Sequence, residues 1–266
     1  MQDPESYEST KTGNDPVAVE AFSKFASKME WSPNELYLDF GCGAGSNLYT
    51  YLLPLAKKNT SKIHGVDISS VMIDHARKHF SSEGVQYFAR DMIHEKEFTG
   101  EEYDKIFSYH VLHWIKDYEL AMKRFYDILK PGGFVGATLV TMGPQFWMLQ
   151  NLGQSEKWRG YCKGYENYIP KWIDAGSDAE DNIEKSLLNC GFEIVSLEKI
   201  VLKHGSDIEP LMDLLLSLNP FLNEIPAHLR NDLRNDGLDI LKKMQNDKLD
   251  VYRHDGLCFI ARKPKC

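Results

Sequence analysis

At 266 residues, with 42% apolar and 26% charged side chains, the chain is long enough to bury a sizeable core and ordinary in charge for a globular protein. Its net charge of −8 argues against nucleic acid as the main partner, because a phosphate backbone needs a basic face. No apolar run is long enough for a membrane span, and the start MQDPESYEST lacks the basic and apolar stretches of a signal peptide. The five cysteines (Cys42, Cys162, Cys190, Cys258, Cys266) are scattered without a C-x-x-C pair, so the expectation is a cytoplasmic protein with reduced thiols and no structural zinc.

Read in chain order, Asp15 can cap a first amphipathic helix that Pro16 opens, with an apolar stripe of Val17, Ala21, Phe22, Phe25 and Met29. Short β-like runs follow at 36–40, 62–67, 85–89, 104–109 and 133–140, separated by stretches of helical period. Strands alternating with helices predict a doubly wound α/β fold whose parallel sheet is covered on both faces. Right-handed crossovers then bring the strand C-termini to one edge, where ligands bind. The alternation breaks after Val140 in an aromatic stretch holding Phe146, Trp147, Trp158, Tyr161, Tyr165, Tyr168 and Trp172. It resumes with a helix near 178–190, a strand near 192–201 and a last strand near 252–262. One domain over 1–266 is expected, with a core of 15–141, 178–204 and 248–266. Helical insertions at 142–177 and 205–247 would form a lid.

The sharpest local signal is Leu38-Asp39-Phe40-Gly41-Cys42-Gly43-Ala44-Gly45-Ser46, a strand running through glycines into a helix. Glycine permits φ > 0 and close approach of backbone to a ligand, and the helix N-terminus offers free N–H groups. A dinucleotide fingerprint would need a glycine where Ser46 stands, and a phosphate-gripping P-loop would need Gly-Lys-Ser/Thr. A strand-to-helix turn that binds nothing is the plain alternative. Asp67 ends the next strand, 28 residues after Asp39. An acid there can accept both hydroxyls of a ribose, would repel a 2′-phosphate, and could equally cap the following helix.

The full D-x-G-x-G-x-G pattern resembles motif I of the S-adenosylmethionine-dependent methyltransferases. Arg90-Asp91-Met92 and Leu129-Lys130-Pro131-Gly132-Gly133 resemble the same family at corresponding places. The resemblance implies a Rossmann-like class I fold with a mostly parallel seven-stranded sheet. It also implies S-adenosylmethionine as cofactor, with Asp91 on the adenine amino group and the Met92 backbone N–H on the ring. The candidate cofactor contacts are Asp39, Gly41, Cys42, Gly43, Gly45, Asp67, Ile68, Asp91, Met92 and Ser108.

The fourth run continues as His110-Val111-Leu112-His113-Trp114-Ile115. This L-H-W-I stretch resembles methyltransferases that esterify carboxylic acids, in which the Trp indole N–H grips the carboxylate. Asp3–Tyr7, 107–117, Ser155-Glu156-Lys157-Trp158, Asn219-Pro220-Phe221 and Ile225-Pro226 together resemble the juvenile hormone acid and farnesoic acid O-methyltransferases of arthropods. That resemblance spans essentially the whole chain and implies an apolar isoprenoid acid as the small-molecule partner. The family's Gln before the first helix is matched here by Asn14, one methylene shorter. The candidate catalytic residues are Trp114, His113 and Asn14. The candidate acceptor contacts are Asn14, His110, His113, Trp114, Trp147, Trp158, Leu215 and Phe221.

His113 is open to three roles: a donor to the carboxylate, a general base, or a packed neutral histidine. His110 and His113 form H-x-x-H, but no further ligands mark a metal site, and none is expected. His75 and His79 read as a solvated face. Leu211, Met212, Leu214, Leu215, Leu218 and Phe221 could line an apolar tunnel or simply be core. Two other functions remain in view: methyl transfer to a hydroxyl or amine with a histidine base, and a silent module that binds S-adenosylmethionine or lipid without turnover.

Overall fold

The computed structural model describes residues 3–10, 15–95, 100–203 and 205–265. Seven strands form one sheet: β1 (Leu36–Phe40), β2 (Lys62–Asp67), β3 (Val85–Ala89), β4 (Tyr103–Tyr109), β5 (Leu129–Met142), β6 (Glu193–Lys203) and β7 (Arg253–Arg262). Their order across the sheet is β3-β2-β1-β4-β5-β7-β6. All neighbours are parallel except β7, which runs antiparallel to both β5 and β6. The order reverses between β1 and β4, so the crevice at their carboxyl ends is the place where such a sheet binds ligands.

The helices form where the sequence supplies caps. The Asp15 carboxylate accepts from Val17 and Ala18 N–H and opens α2 (Pro16–Lys28), as its sequence predicts. Its buried stripe includes Ala18 in place of the half-buried Val17. Ser69, not Asp67, caps α4 (Ser70–His79) by accepting from Met72 N–H. The segment after β1 starts as a wide turn at Leu48–Leu52 and tightens into α3 (Leu53–Lys58). Pro54 explains the irregularity, since its ring lacks an N–H and crowds the preceding turn. Asp117 and Asp178 cap α5 (Tyr118–Ile128) and α8 (Ala179–Cys190).

Two apolar layers sandwich the sheet. One is built around Phe125, Leu129 and Ile183 with the α5–α8 side, the other around Phe22, Phe25 and Leu48 with α2, α3 and α4. A third layer belongs to the insertions. Here α6 (Pro144–Gln154), α9 (Ile208–Ser217) and α10 (Arg230–Asn246) pack on one another around Phe146, Trp158, Met212 and Leu241. The insertions therefore share a core of their own, distinct from the two that cover the sheet. The short α1 (Pro4–Thr10) packs against both α9 and α4, bridging the insertions and the sheet layers. Among the described residues, no helix is long and apolar enough to cross a membrane.

Candidate active site

The loop after β1 is tied to β2 by its backbone. Gly41 and Cys42 N–H both donate to the Val66 carbonyl, at 2.7 and 3.0 Å. Gly41, Gly43 and Gly45 all have positive φ, at 76°, 53° and 93°. A Cβ on Gly41 would lie 2.3 Å from Val111 Cγ2, and one on Gly45 would lie 2.8 Å from Ala76 Cβ. A Cβ on Gly43 meets nothing within 4 Å. Two of the glycines are thus required by the protein's own packing, while the middle one faces open space.

The Asp67 carboxylate closes that space from below. One oxygen accepts from Gly43 N–H at 3.0 Å and the other from Ser69 N–H at 2.9 Å. Each carboxylate oxygen has a second lone pair, so a diol can still bridge the two. Burial raises the Asp67 carboxyl above the usual carboxylate range, and the Ser69 and Gly43 N–H groups only partly offset this. Beside it Ile68 is 73% exposed, an apolar side chain at the sheet edge that a flat ring could cover. Asp39 lies buried in β1, and burial pushes the adjoining Cys42 thiol well above its ordinary value. The Cys42 thiol is therefore neutral and its neighbourhood rejects further negative charge.

At the end of β3 the Asp91 carboxylate accepts from Ile93 and His94 N–H and from the His94 ring. Burial pushes Asp91 upward, but these bonds outweigh it and hold the carboxyl below its usual range. Met92 is buried behind it, and its carbonyl accepts from Arg124. Ser108, on β4, is fully buried and its Oγ has no partner among the described residues. Above the glycine loop, Ser46 Oγ donates to Glu8 on α1 at 2.8 Å, a contact that sequence reading did not anticipate.

These features fit S-adenosylmethionine: an acidic pair of oxygens for a ribose, an exposed apolar face for an adenine, and a glycine with room above it. We expect Gly43→Ala to weaken cofactor binding by about tenfold or more, because its Cβ fills ligand space, and to lower the melting temperature by only a few degrees, the cost of roughly 1 kcal/mol for an alanine at positive φ without a clash. Gly41→Ala should instead unfold the protein at a distinctly lower temperature, since Val111 is stiff and in the way. Isothermal titration beside thermal melts separates the two effects.

Past β4 the chain turns sharply. His110 has φ +57°, rare for a residue with a side chain, and its N–H donates to the Thr138 carbonyl at 3.0 Å. The turn Leu112–Trp114 then places His113 and Trp114 with ring centroids 5.0 Å apart. His113 is 3% exposed, and its Nδ1 accepts from Val140 N–H at 3.1 Å. Burial lowers its pKa far below the ordinary histidine value, with His110 and His254 adding to the effect. A neutral imidazole that accepts at Nδ1 carries its proton on Nε2 and is a donor there. Tyr109 is anchored away from this turn, with its hydroxyl on the Asp15 carboxylate.

The candidate acceptor residues divide. Trp114 and Leu215 line one small cavity between the β4 turn and the helical insertions with Gln145, Met148, Leu218 and Asn219. Trp158 does not: it is buried inside the core of the insertions, and its indole N–H donates to Asp236 of α10 at 2.8 Å. Trp147 is half-buried on α6, and Phe221 packs edge-on against Tyr168. The apolar tunnel that the leucines suggest is closed. Leu211 and Met212 are core residues of the insertions, and the cavity holds about 10 Å³, room for about one water. Asn14 lies outside the described residues. His75 and His79 stack on one another on α4 at 4.4 Å, away from this turn. Gln145 was missed from sequence, where three further amides in the same helix leave it without a distinguishing signal, and Asn219 was marked only as part of the Asn219-Pro220-Phe221 stretch. Among the described residues no group of three or more His, Cys, Asp or Glu could hold a metal ion.

Residues 38–136 match the family model described as a methyltransferase domain. With the sheet order and the glycine–acid site, this defines the chain as a class I S-adenosylmethionine-dependent methyltransferase. A solved phosphoethanolamine N-methyltransferase 2 from Haemonchus contortus, in complex with S-adenosyl-L-methionine, superposes with a TM-score of 0.56 at 21% identity. The match covers 98% of this chain and 56% of that one, and it bears on the fold. Within the class, the sequence is similar to juvenile hormone acid O-methyltransferases over most of its length. It is 26% identical to that of Bombyx mori, over 86% of this chain and 82% of the relative. It is 28% identical to that of Drosophila melanogaster, over 83% and 76%.

Proposed function

We propose that this methyltransferase esterifies the carboxylate of an apolar isoprenoid acid, of the juvenile hormone acid or farnesoic acid type. The observation that carries the reading is His113, a buried neutral imidazole whose Nδ1 is engaged by Val140 N–H and whose Nε2 therefore donates. A hydroxyl or amine acceptor needs a base to take its proton; a carboxylate, already ionised at neutral pH, needs donors that hold it. S-adenosylmethionine, when bound, supplies an electrophilic methyl group on a cationic sulfur, so transfer to a carboxylate oxygen yields an ester and a neutral thioether with no proton to remove.

The chain's own part is to bind, orient and dehydrate. Asp67, Ile68 and the face above Gly43 hold the cofactor, with Asp91 and Met92 at its far end. Trp114 Nε1–H and His113 Nε2–H hold the acceptor. Aligning two reactants can remove roughly 7–11 kcal/mol of barrier, and exclusion of water leaves the carboxylate a better nucleophile. The lid core supplies that dry environment. Because the cavity is nearly closed, a long acyl chain enters by parting α6 from α9, whose facing walls are Met148 and Leu215. The similarity to the juvenile hormone acid O-methyltransferases of Bombyx mori and Drosophila melanogaster supports the same class of acceptor.

The test is methyl transfer from labelled cofactor into farnesoic acid, its epoxide, a saturated fatty acid and a short polar acid. Labelled esters of the isoprenoid acids are the expected products; cofactor binding with no ester from any of the four rejects the proposal. Because His113 is held neutral, ester formation should change by less than about twofold between roughly pH 6 and pH 8. A rate that falls through the ordinary histidine range as pH drops would instead mark a histidine base and an acceptor bearing a proton.

A further inference from the structure

Two side-chain amides face the acceptor cavity, and neither has a place in the reading above. Asn219 is 6% exposed and Gln145 is 4% exposed, and both line the same small space as Trp114. The Asn219 Oδ1 accepts from Phe221 N–H at 2.9 Å, which fixes which way the amide points. Its Nδ2 is buried with no partner among the described residues. Gln145 Oε1 is likewise buried and unpartnered. A buried polar atom without a partner is costly and rare, and two beside one cavity mark a place for a polar ligand group.

The backbone explains why these amides stay put. Asn219 follows α9, its N–H donates to the Leu216 carbonyl, and Pro220 comes next, so its main chain has little freedom. Gln145 stands in the first turn of α6, between Pro144 and the buried Phe146. The remaining walls, Met148, Leu149, Leu215 and Leu218, offer no hydrogen bond. Whatever polar group enters this space meets the Trp114 indole and these two amides.

We propose that Asn219, with Gln145 across the cavity, holds the anionic head of the acceptor beside Trp114 by donating amide N–H bonds. Asn219 Nδ2 brings two N–H donors and no charge. Gln145 can turn its amide to present Nε2, as the two ends of the group are nearly equal in shape. The pair discriminates carboxylate from alcohol through this set of donors. The inference rests on the carboxylate reading above and gives an acceptor role to Gln145 and to Asn219, which the sequence marks only as part of the Asn219-Pro220-Phe221 stretch.

The variant Asn219→Asp keeps the shape and the acceptor for Phe221 N–H but replaces the donors with a carboxylate. Binding of farnesoic acid and of farnesol to the protein loaded with S-adenosylhomocysteine is measured by calorimetry, with ester formation followed alongside. Asn219→Asp should weaken the acid by roughly tenfold or more at pH 8 and leave the alcohol within about twofold. The loss should shrink as pH falls toward about 6, where a carboxyl in an apolar pocket regains its proton and can donate. Gln145→Met should weaken the acid in the same direction with no such pH dependence. Wild type that esterifies the acid, while Asn219→Asp treats acid and alcohol alike, overturns the Asn219 assignment alone. Wild type that neither binds nor esterifies the acid overturns the carboxylate reading and this assignment with it.

Discussion

Trp114→Phe should lower kcat/KM for ester formation by about a hundredfold while leaving cofactor affinity within about twofold. Of the chain's five tryptophans, three have spent their indole N–H on the protein: Trp31 on the Ala26 carbonyl, Trp158 on Asp236 and Trp172 on the Thr141 carbonyl. Trp114 has no such partner among the described residues and lines the cavity proposed for the acceptor. Trp147 also has none, but it does not line that cavity. A hydrogen bond to a charged group is worth about 1.5–3 kcal/mol, and loss of alignment adds to it. Phenylalanine keeps the contacts with His113 and Phe146, so a folded but slow enzyme is the expected result. Trp114→Ala should be slower still and less stable, because Trp114 also packs against the core of the insertions. Near-normal ester formation by Trp114→Phe would reject the indole as the acceptor's grip.

Asp67→Asn should raise the dissociation constant for S-adenosylmethionine by about tenfold to a hundredfold. The substitution keeps an acceptor for one of the two backbone N–H groups that Asp67 serves, whereas alanine would orphan both Gly43 and Ser69. The charge matters more than the shape, since an amide can accept on one end only. The pH dependence follows from the raised carboxyl of Asp67. Ribose hydroxyls favour the ionised form, so affinity is full above the carboxyl's pKa in the free protein and falls as pH drops through it. That fall begins above the usual carboxylate range, because burial has moved the group upward. In Asp67→Asn this slope should be missing. Titrations of wild type and variant at several acidic pH values read both effects. An unchanged affinity in the variant would remove Asp67 from the cofactor site.

The two tryptophan fates show where sequence reading stops. Trp114 and Trp158 look alike in the chain, each an aromatic in a stretch that resembles the same family. Only Asp236, 78 positions from Trp158, tells them apart. His113 was open to three roles until Val140, 27 positions on, fixed its proton on Nε2. The tunnel of leucines was equally undecided, because helical spacing looks the same for a residue lining a cavity and one filling a core.

What the sequence by itself determined are the features whose causes lie within a few residues. The strand-and-helix alternation set the sheet, Asp15 with Pro16 set the first helix of the core, and the glycine spacing set the loop above Asp67. Positive φ, side-chain caps and the apolar period act locally, so they are written locally. The tertiary structure alone decided which polar groups are already satisfied and which remain to bind something. That is a question of partners far apart in the chain: Gly41 against Val111, Trp158 against Asp236, Asn219 against the space beside Trp114. Burial turns each of these into a large energetic difference, because a hidden polar group must find a partner in the protein or in the ligand.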